Sequence, residues 1–196
     1  IDEPPRPAGM QQVDAFAAEP AGGSALRAND AVVIPAPPQQ VFDTLLDPAT
    51  LAAIIPGCHA LELQGENRYR ADVTVGVGMI RARFEAKVAL SELDPPHSLR
   101  LSGSGTSSMG SAEGHARVRF VALENGHTRL EYQYQVAVSG KVAAVGSRMM
   151  QGASKVIIGQ IFTRLSQRVS GQASAAGWWP RLRALLASLL GKGGAQ

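Results

Sequence analysis

The run Tyr69-Arg70-Ala71-Asp72-Val73-Thr74-Val75-Gly76-Val77, continued beyond Gly78-Met79 by Ile80-Arg81-Ala82-Arg83-Phe84-Glu85-Ala86-Lys87-Val88, alternates apolar and polar residues with a period of two. Successive side chains of a strand point to opposite faces, so this pair reads as a hairpin with one apolar and one wet face. The alternation returns over Ala112–Phe120 and Leu130–Val138. Turn signals stand between the runs at Asp94-Pro95-Pro96, Ser107-Ser108-Met109-Gly110 and Glu124-Asn125-Gly126. Two weaker runs, Cys58–Gln64 and Leu99–Ser107, and a first strand over Leu26–Ile34 complete a predicted seven-stranded antiparallel sheet, covered on one side.

The stretches on either side of these runs supply the cover. Pro35-Ala36-Pro37-Pro38 stops the first strand, and Pro38 suits the first turn of a short helix over Gln39–Leu46. Asp47-Pro48 restarts a second helix, Pro48–Ile54, which ends before Pro56-Gly57. After Ser139-Gly140 the period becomes helical from Lys141 to Ser170 without a proline, and Ser139 is placed to cap the first turn. Val142, Val145, Gly146, Met149, Met150, Ala153, Val156, Ile157, Gln160 and Ile161 fall in one broad stripe, with Lys141, Arg148 and Lys155 opposite. Strand, two short helices, six strands and a long helix make an α+β helix-grip fold, in which the sheet wraps round the last helix. The predicted organisation is a leader over 1–24, rich in Pro, Ala, Gly and acid, and a helix-grip domain over 25–170. A linker of small residues over 171–177 and an amphipathic tail helix over 178–191 follow.

The chain has 196 residues, enough for one domain with a sizeable core, and 45% of them are hydrophobic, which excludes disorder for the bulk of it. Thirty alanines and 21 glycines against ten aromatics describe an interior of small side chains, either thin or with room in it. Cys58 is the only cysteine, which excludes an internal disulfide framework, a multi-cysteine zinc site and an iron–sulfur cluster, and suits a reducing compartment. The formal charge of +3 averages two unlike parts. Residues 1–131 hold 11 Lys and Arg against 16 Asp and Glu, whereas residues 132–196 hold eight Lys and Arg and no acid. An acid-free cationic third suits an anionic partner: lipid headgroups, nucleic acid, or the acidic face of another subunit. The plain alternative is solubilising charge on helix surfaces. No secretory signal pattern is visible, and no stretch reaches the ~18–20 apolar residues of a spanning helix. The first residue is Ile rather than Met, which leaves an upstream segment open.

The element order resembles that of the START/Bet v 1-like superfamily of hydrophobic-ligand carriers, and within it the chain is similar to the G-subunit family of carbon monoxide dehydrogenase. The likeness is carried by Ile34-Pro35-Ala36-Pro37 with Val41-Phe42 and Leu45, and by Asp47-Pro48 leading to Ile55-Pro56-Gly57-Cys58. It continues through the glycine-bearing Tyr69–Phe84 hairpin, the Gly103–Gly114 run, and Ser139-Gly140-Lys141-Val142-Ala143 with Gly146 and Arg148, and spans about residues 26–168. The resemblance implies an accessory protein of a molybdenum hydroxylase rather than its catalytic subunit. Such proteins are implicated in tethering the enzyme to the cytoplasmic membrane face and in handling a quinone acceptor.

Two features fit that role on physical grounds. A pocket is expected between sheet and long helix, with Ile80, Phe84, Phe120 and Tyr134 facing Met149, Met150, Ala153, Ile157 and Ile161, and with Gly146, Gly152 and Gly159 thinning the helix. Such sites are mostly apolar, and methionine adapts to ligands of variable shape. An ordinary packed core is the plain alternative; the resemblance favours the pocket. A quinone or other isoprenoid ligand, held noncovalently, suits it better than a polar substrate because little charge points inward. The second feature is the tail, where Trp178, Leu182, Leu185, Leu186 and Leu189 share a helical face that Arg181 and Arg183 mostly avoid, and Trp179 adds a second aromatic. Thirteen residues from Trp178 to Leu190 make ~20 Å of helix, too short to cross a bilayer. They read as a helix lying in a membrane interface, with docking on a partner protein or on this domain as alternatives.

Catalytic patterns are weak. His59, His97, His115 and His127 are scattered without the i, i+4 spacing of a helical metal pair. Cys58 and His59 are adjacent and point apart in a strand, so Cys58 reads as structural rather than nucleophilic. The Gly103–Gly114 run lacks the order of a phosphate loop, and its glycines are expected in turns and bulges. Basic residues on the outward sheet face are interrupted by Glu85, Glu113 and Glu131, with no aromatics among them, which speaks against nucleic acid. The sequence therefore predicts a non-enzymatic protein without catalytic or metal-ligating residues, cytoplasmic and peripheral on the inner membrane face. By the resemblance, it would carry a quinone-like molecule beside molybdenum hydroxylase subunits. The alternatives are a cyclase or hydrolase of the same superfamily, which needs polar side chains converging in the cavity, and a scaffold with a filled core.

Overall fold

Seven strands form one antiparallel sheet: β1 (Ser24–Ile34), β2 (Cys58–Gly65), β3 (Arg68–Val77), β4 (Ile80–Asp94), β5 (Ser98–Ser107), β6 (Gly110–Ala122) and β7 (Thr128–Ser139). Their spatial order is β1-β7-β6-β5-β4-β3-β2, a meander from β2 to β7 closed by the return of β1. Helices α1 (Pro38–Leu46) and α2 (Pro48–Ile54) follow β1, and α3 (Ser147–Leu190) ends the fold. The computed structural model describes the backbone of residues 24–190 and the side chains of residues 25–171. This is the helix-grip α+β architecture that the alternation and the element order predict.

Register explains why one face is apolar. Val77 pairs with Ile80, Val75 with Ala82, Val73 with Phe84 and Ala71 with Ala86, so a slip of one residue would turn the whole apolar set outward. Prolines Pro38 and Pro48 open the two short helices, where their missing N–H costs nothing. Asp47 caps α2, accepting from Thr50 N at 2.8 Å and from Thr50 Oγ1 at 2.6 Å. These bonds hold its carboxyl below the ordinary carboxylate value. Tyr69 Oη donates to the Leu46 carbonyl at 3.1 Å, and fully buried Thr128 Oγ1 donates to the Ala36 carbonyl at 2.7 Å, which fastens the helical corner to the sheet.

The long helix departs from expectation at its start. It begins at Ser147 rather than Lys141, because Gly140 (φ +78°) and Gly146 (φ +91°) adopt conformations that helices exclude. Between them lies a single 3₁₀ turn, Ala143–Val145, and Val142 N donates to the Met109 carbonyl at 2.9 Å. Ser139 does not cap a helix; its hydroxyl pairs with that of Ser111 at 2.7 Å. At the other end, the backbone is helical across 171–177 in place of the expected linker, and Ala173, Ala175 and Ala176 favour that state. The tail residues Trp178, Trp179, Arg181, Leu182, Arg183, Leu185, Leu186 and Leu189 lie on this helix, but their side chains are outside those described. The leader expected over 1–24 also lies outside the described residues, except for Ser24, which opens β1.

Buried side chains form two clusters. The first joins Ile34, Val41, Phe42 and Ile54 to Leu99, Val118, Phe120 and Leu130 of the sheet and to Leu165 and Val169 of α3. The second joins Leu26, Val77, Ala82, Phe84 and Val138 to Val142 and Met150.

Candidate ligand cavity

The second cluster does not fill its space. A cavity of ≈ 450 Å³, broadly open to solvent, lies between the inner face of the sheet and the first three turns of α3. The helix approaches the sheet along β1 and β3 and stands off the strands between them, and the small residues of the floor there leave the gap unfilled. Gly103 and Gly105 of β5 pair with Gly114 and Ala112 of β6, and Ala86 of β4 pairs with Gly105. All five line the cavity. A methyl group on Gly114 would stand 2.4 Å from the Gln135 carbonyl oxygen, so the backbone itself excludes a larger residue. Valines Val73, Val75, Val77, Val136 and Val138 form the walls, and Met150, Ala153, Ser154 and Ile157 the roof.

Of the nine residues expected to bind a ligand, the structure brings five to the cavity: Phe84, Tyr134, Met150, Ala153 and Ile157. Four stand elsewhere. Phe120 packs edge-on against Phe42, with ring centroids 5.3 Å apart, inside the first cluster. Ile161 joins the same cluster; Ile80 sits at the turn end of β4, and Met149 is half-exposed on the rim. The glycines also depart from expectation. Gly152 and Gly159 are exposed, with nothing within 4 Å of a methyl built on either, so the room comes from the strands and not from a thinned helix. Gly103, Gly105 and Gly114, expected in turns or bulges, are instead the floor. Their in-register pairing on neighbouring strands, at inward positions of the period-two pattern, is the signal that could have located the cavity.

Polar chemistry lies mostly outside it. Strand alternation directs Ser104, Glu113 and His115 to the outer face, so Tyr134 and Ser154 are the lining residues on the inner side that carry a side-chain hydroxyl. Nearby Tyr132 packs at a tilt against Phe162 with centroids 5.0 Å apart, and burial, with help from Asp30, raises its phenol pKa. A second hollow of ≈ 510 Å³ on the outer face is walled by two ion pairs, Arg70–Glu85 and Arg83–Asp72, and suits water rather than an apolar ligand. The histidines stand apart: His59 on Thr74, His97 on Asp94, His127 on Asn125, and His115 between Arg100 and Arg117. Burial, followed by those two arginines, holds the His115 pKa down. Burial pushes the Cys58 thiol up, against nucleophilic use. Among the described residues no group of three His, Cys, Asp or Glu could hold a metal, and no helix is long and apolar enough to cross a membrane.

The fold and the cavity agree with what sequence comparison finds, a match of residues 31–170 to the family model for the G subunit of carbon monoxide dehydrogenase (CoxG). The chain belongs to the CoxG family. Among solved structures, this CoxG protein is similar to a conserved protein from Geobacillus kaustophilus, with 29% identity, a TM-score of 0.72, and coverage of 74% of this chain and 96% of that one. The ZhuI aromatase/cyclase from Streptomyces sp. R1128 matches with 17% identity and a TM-score of 0.59 over 79% of this chain and 99% of that one. A START superfamily protein from Mycobacterium smegmatis matches with 14% identity and a TM-score of 0.57 over 77% and 99%. The last two likenesses are of fold alone. No curated protein sequence matches the chain.

Proposed function

We propose that this CoxG protein is an accessory carrier that shelters a quinone-like molecule and works beside a molybdenum hydroxylase of carbon monoxide dehydrogenase type. The observation that carries this reading is the apolar cavity floored by Gly103, Gly105 and Gly114. Its volume of ≈ 450 Å³ falls in the range of small-molecule sites, and its walls favour an isoprenoid or aromatic ring over a charged substrate. Two hydroxyls, from Tyr134 and Ser154, suit a ligand with a carbonyl oxygen to accept from them. The same two groups are a thin basis for a cyclase or hydrolase, which would need a positioned acid or base. The family name supports a carbon monoxide dehydrogenase as partner. The protein's role is positional: the cavity keeps the apolar ligand from water, and the arginine- and tryptophan-bearing tail from Trp178 holds the complex at the cytoplasmic membrane face.

Titration of the full chain with decylubiquinone, followed by native mass spectrometry, tests the cavity; a saturable one-to-one complex is expected. A protein that stays ligand-free up to the solubility limit overturns the reading. Co-sedimentation with vesicles tests the tail separately: Leu185→Asp with Leu186→Asp lowers binding if the tail is the anchor, and unchanged binding removes that part.

A further inference from the structure

We infer that the pole where the β3–β4 and β5–β6 turns meet the start of α3 is a lipid-docking surface, through which the ligand passes between an anionic bilayer and the cavity. This rests on the carrier reading but is independent of the tail. Four of the five methionines gather here: Met79, Met109, Met149 and Met150. Met79, on the β3–β4 turn, is fully exposed at 102%, and Met149 is 50% exposed. The Met149 sulfur lies over Gly78, where an added methyl would stand 2.7 Å from it. Because the Met109 carbonyl accepts from Val142 N, the two turns and the segment entering α3 form one continuous surface.

Charge identifies what this surface meets. Residues 75–82, 106–112 and 137–150 contain Arg81, Lys141 and Arg148 and no Asp or Glu. All three cations are exposed, and none takes part in an ion pair among the described residues. On the outer sheet face, by contrast, acids stand among the cations, and Arg70, Arg83 and Arg119 pair there with Glu85, Asp72 and Glu131. Exposed apolar tips ringed by unneutralised cations match a bilayer interface, where the tips enter the acyl boundary and the cations meet headgroup phosphates. Directly beneath the surface, Val77, Val138, Val142 and Met150 line the end of the cavity. A ligand taken up here enters apolar surroundings without first crossing bulk water. Methionine suits such a rim, since its unbranched side chain swings aside at little cost.

The test uses the full chain and two variants at exposed positions outside the cavity, Met79→Asp and Arg148→Glu, each checked for an unchanged melting temperature. Vesicles of phosphatidylcholine, with and without phosphatidylglycerol, carry long-chain ubiquinone; decylubiquinone added from ethanol reports the cavity without a membrane. The wild type is expected to prefer the phosphatidylglycerol vesicles, and the preference to fade with salt. Met79→Asp should lower vesicle binding and ubiquinone uptake about tenfold, and Arg148→Glu about threefold, with decylubiquinone affinity unchanged. The Met79→Asp effect should persist when Leu185→Asp is also present. Variants that bind vesicles and take up ubiquinone like the wild type overturn the inference and leave the carrier reading standing. If decylubiquinone does not bind the wild type, the carrier reading fails, and vesicle binding alone still decides for or against the docking surface.

Discussion

Beneath α1 and α2, the side chains of Ile34, Phe42, Ile54, Leu130 and Leu165 are at most 1% exposed and fill the space between sheet and helix. Two turns of α3 nearer its start, the same sheet offers Gly103, Gly105, Gly114 and Ala86, and the space stays open. One half thus carries the dense packing that holds α3 to the sheet; the other uses that anchorage to hold an open cavity apart. A cavity of this size is sustainable because glycine and alanine floors leave no long side chain able to fold into it, while the helix above is fixed by the other half. Stability and ligand capacity therefore sit in different residues, and substitutions should separate them.

The largest effect is expected from Leu165→Ala, which empties the dense half. Its loss should reach about 3–4 kcal/mol in chemical denaturation, with decylubiquinone affinity per folded molecule little changed. A loss below about 1 kcal/mol would mean that α3 is held elsewhere. Next comes Gly114→Ala, whose methyl would lie 2.4 Å from the Gln135 carbonyl and 2.7 Å from Val136 Cγ2. Shifting the β6–β7 backbone should cost about 1–3 kcal/mol and narrow the cavity as well. Third, Ala153→Leu adds bulk to the roof alone. Decylubiquinone affinity should fall at least about tenfold while stability stays within about 1 kcal/mol, since the new side chain enters open space. A destabilisation as large as that of Gly114→Ala would show the two halves to be equally packed.

Much of this was legible in the sequence, and the part that was not has a physical cause. The hairpin 69–88 and the runs at 112–120 and 130–138 alternate cleanly because one face is buried along the whole length of each strand. That same uniformity hides the boundary between the halves. Phe120 and Tyr134 both face inward, but Phe120 meets Phe42 while Tyr134 meets the void. Which one a strand position meets depends on where α1 and α2 land, a long-range matter that no local period records. The helix start is hidden too, because a glycine at φ +91° reads, in sequence, like any other small residue in a helical stripe.

A smaller effect, again in the dense half, belongs to Asp47. Removing its bonds to Thr50 with Asp47→Ala should cost about 1 kcal/mol at neutral pH, the usual worth of an N-cap. The carboxyl sits below its ordinary value of 3.8 in the folded chain, chiefly through the Thr50 hydroxyl bond. Its contribution is therefore complete above pH 3.8 and is lost as the pH falls through the lower, folded value. Wild type and variant should differ in melting temperature at pH 7 and converge in acid. A gap that persists below that range would assign the loss to something other than the ionised cap.

The smallest expected change is a gain, and it tests the hollow half from outside. Gly152 lies in α3 directly above the cavity but faces away from it, and a methyl built there has nothing within 4 Å. Gly152→Ala should raise stability by about 0.5 kcal/mol, because alanine gives up less backbone entropy on entering a helix. It should leave decylubiquinone affinity unchanged, since the void belongs to the strands. Were the helix glycines the source of the room, the same substitution would weaken binding while stiffening the roof. Equilibrium denaturation and ligand titration on one pair of proteins therefore decide which side of the cavity makes it hollow.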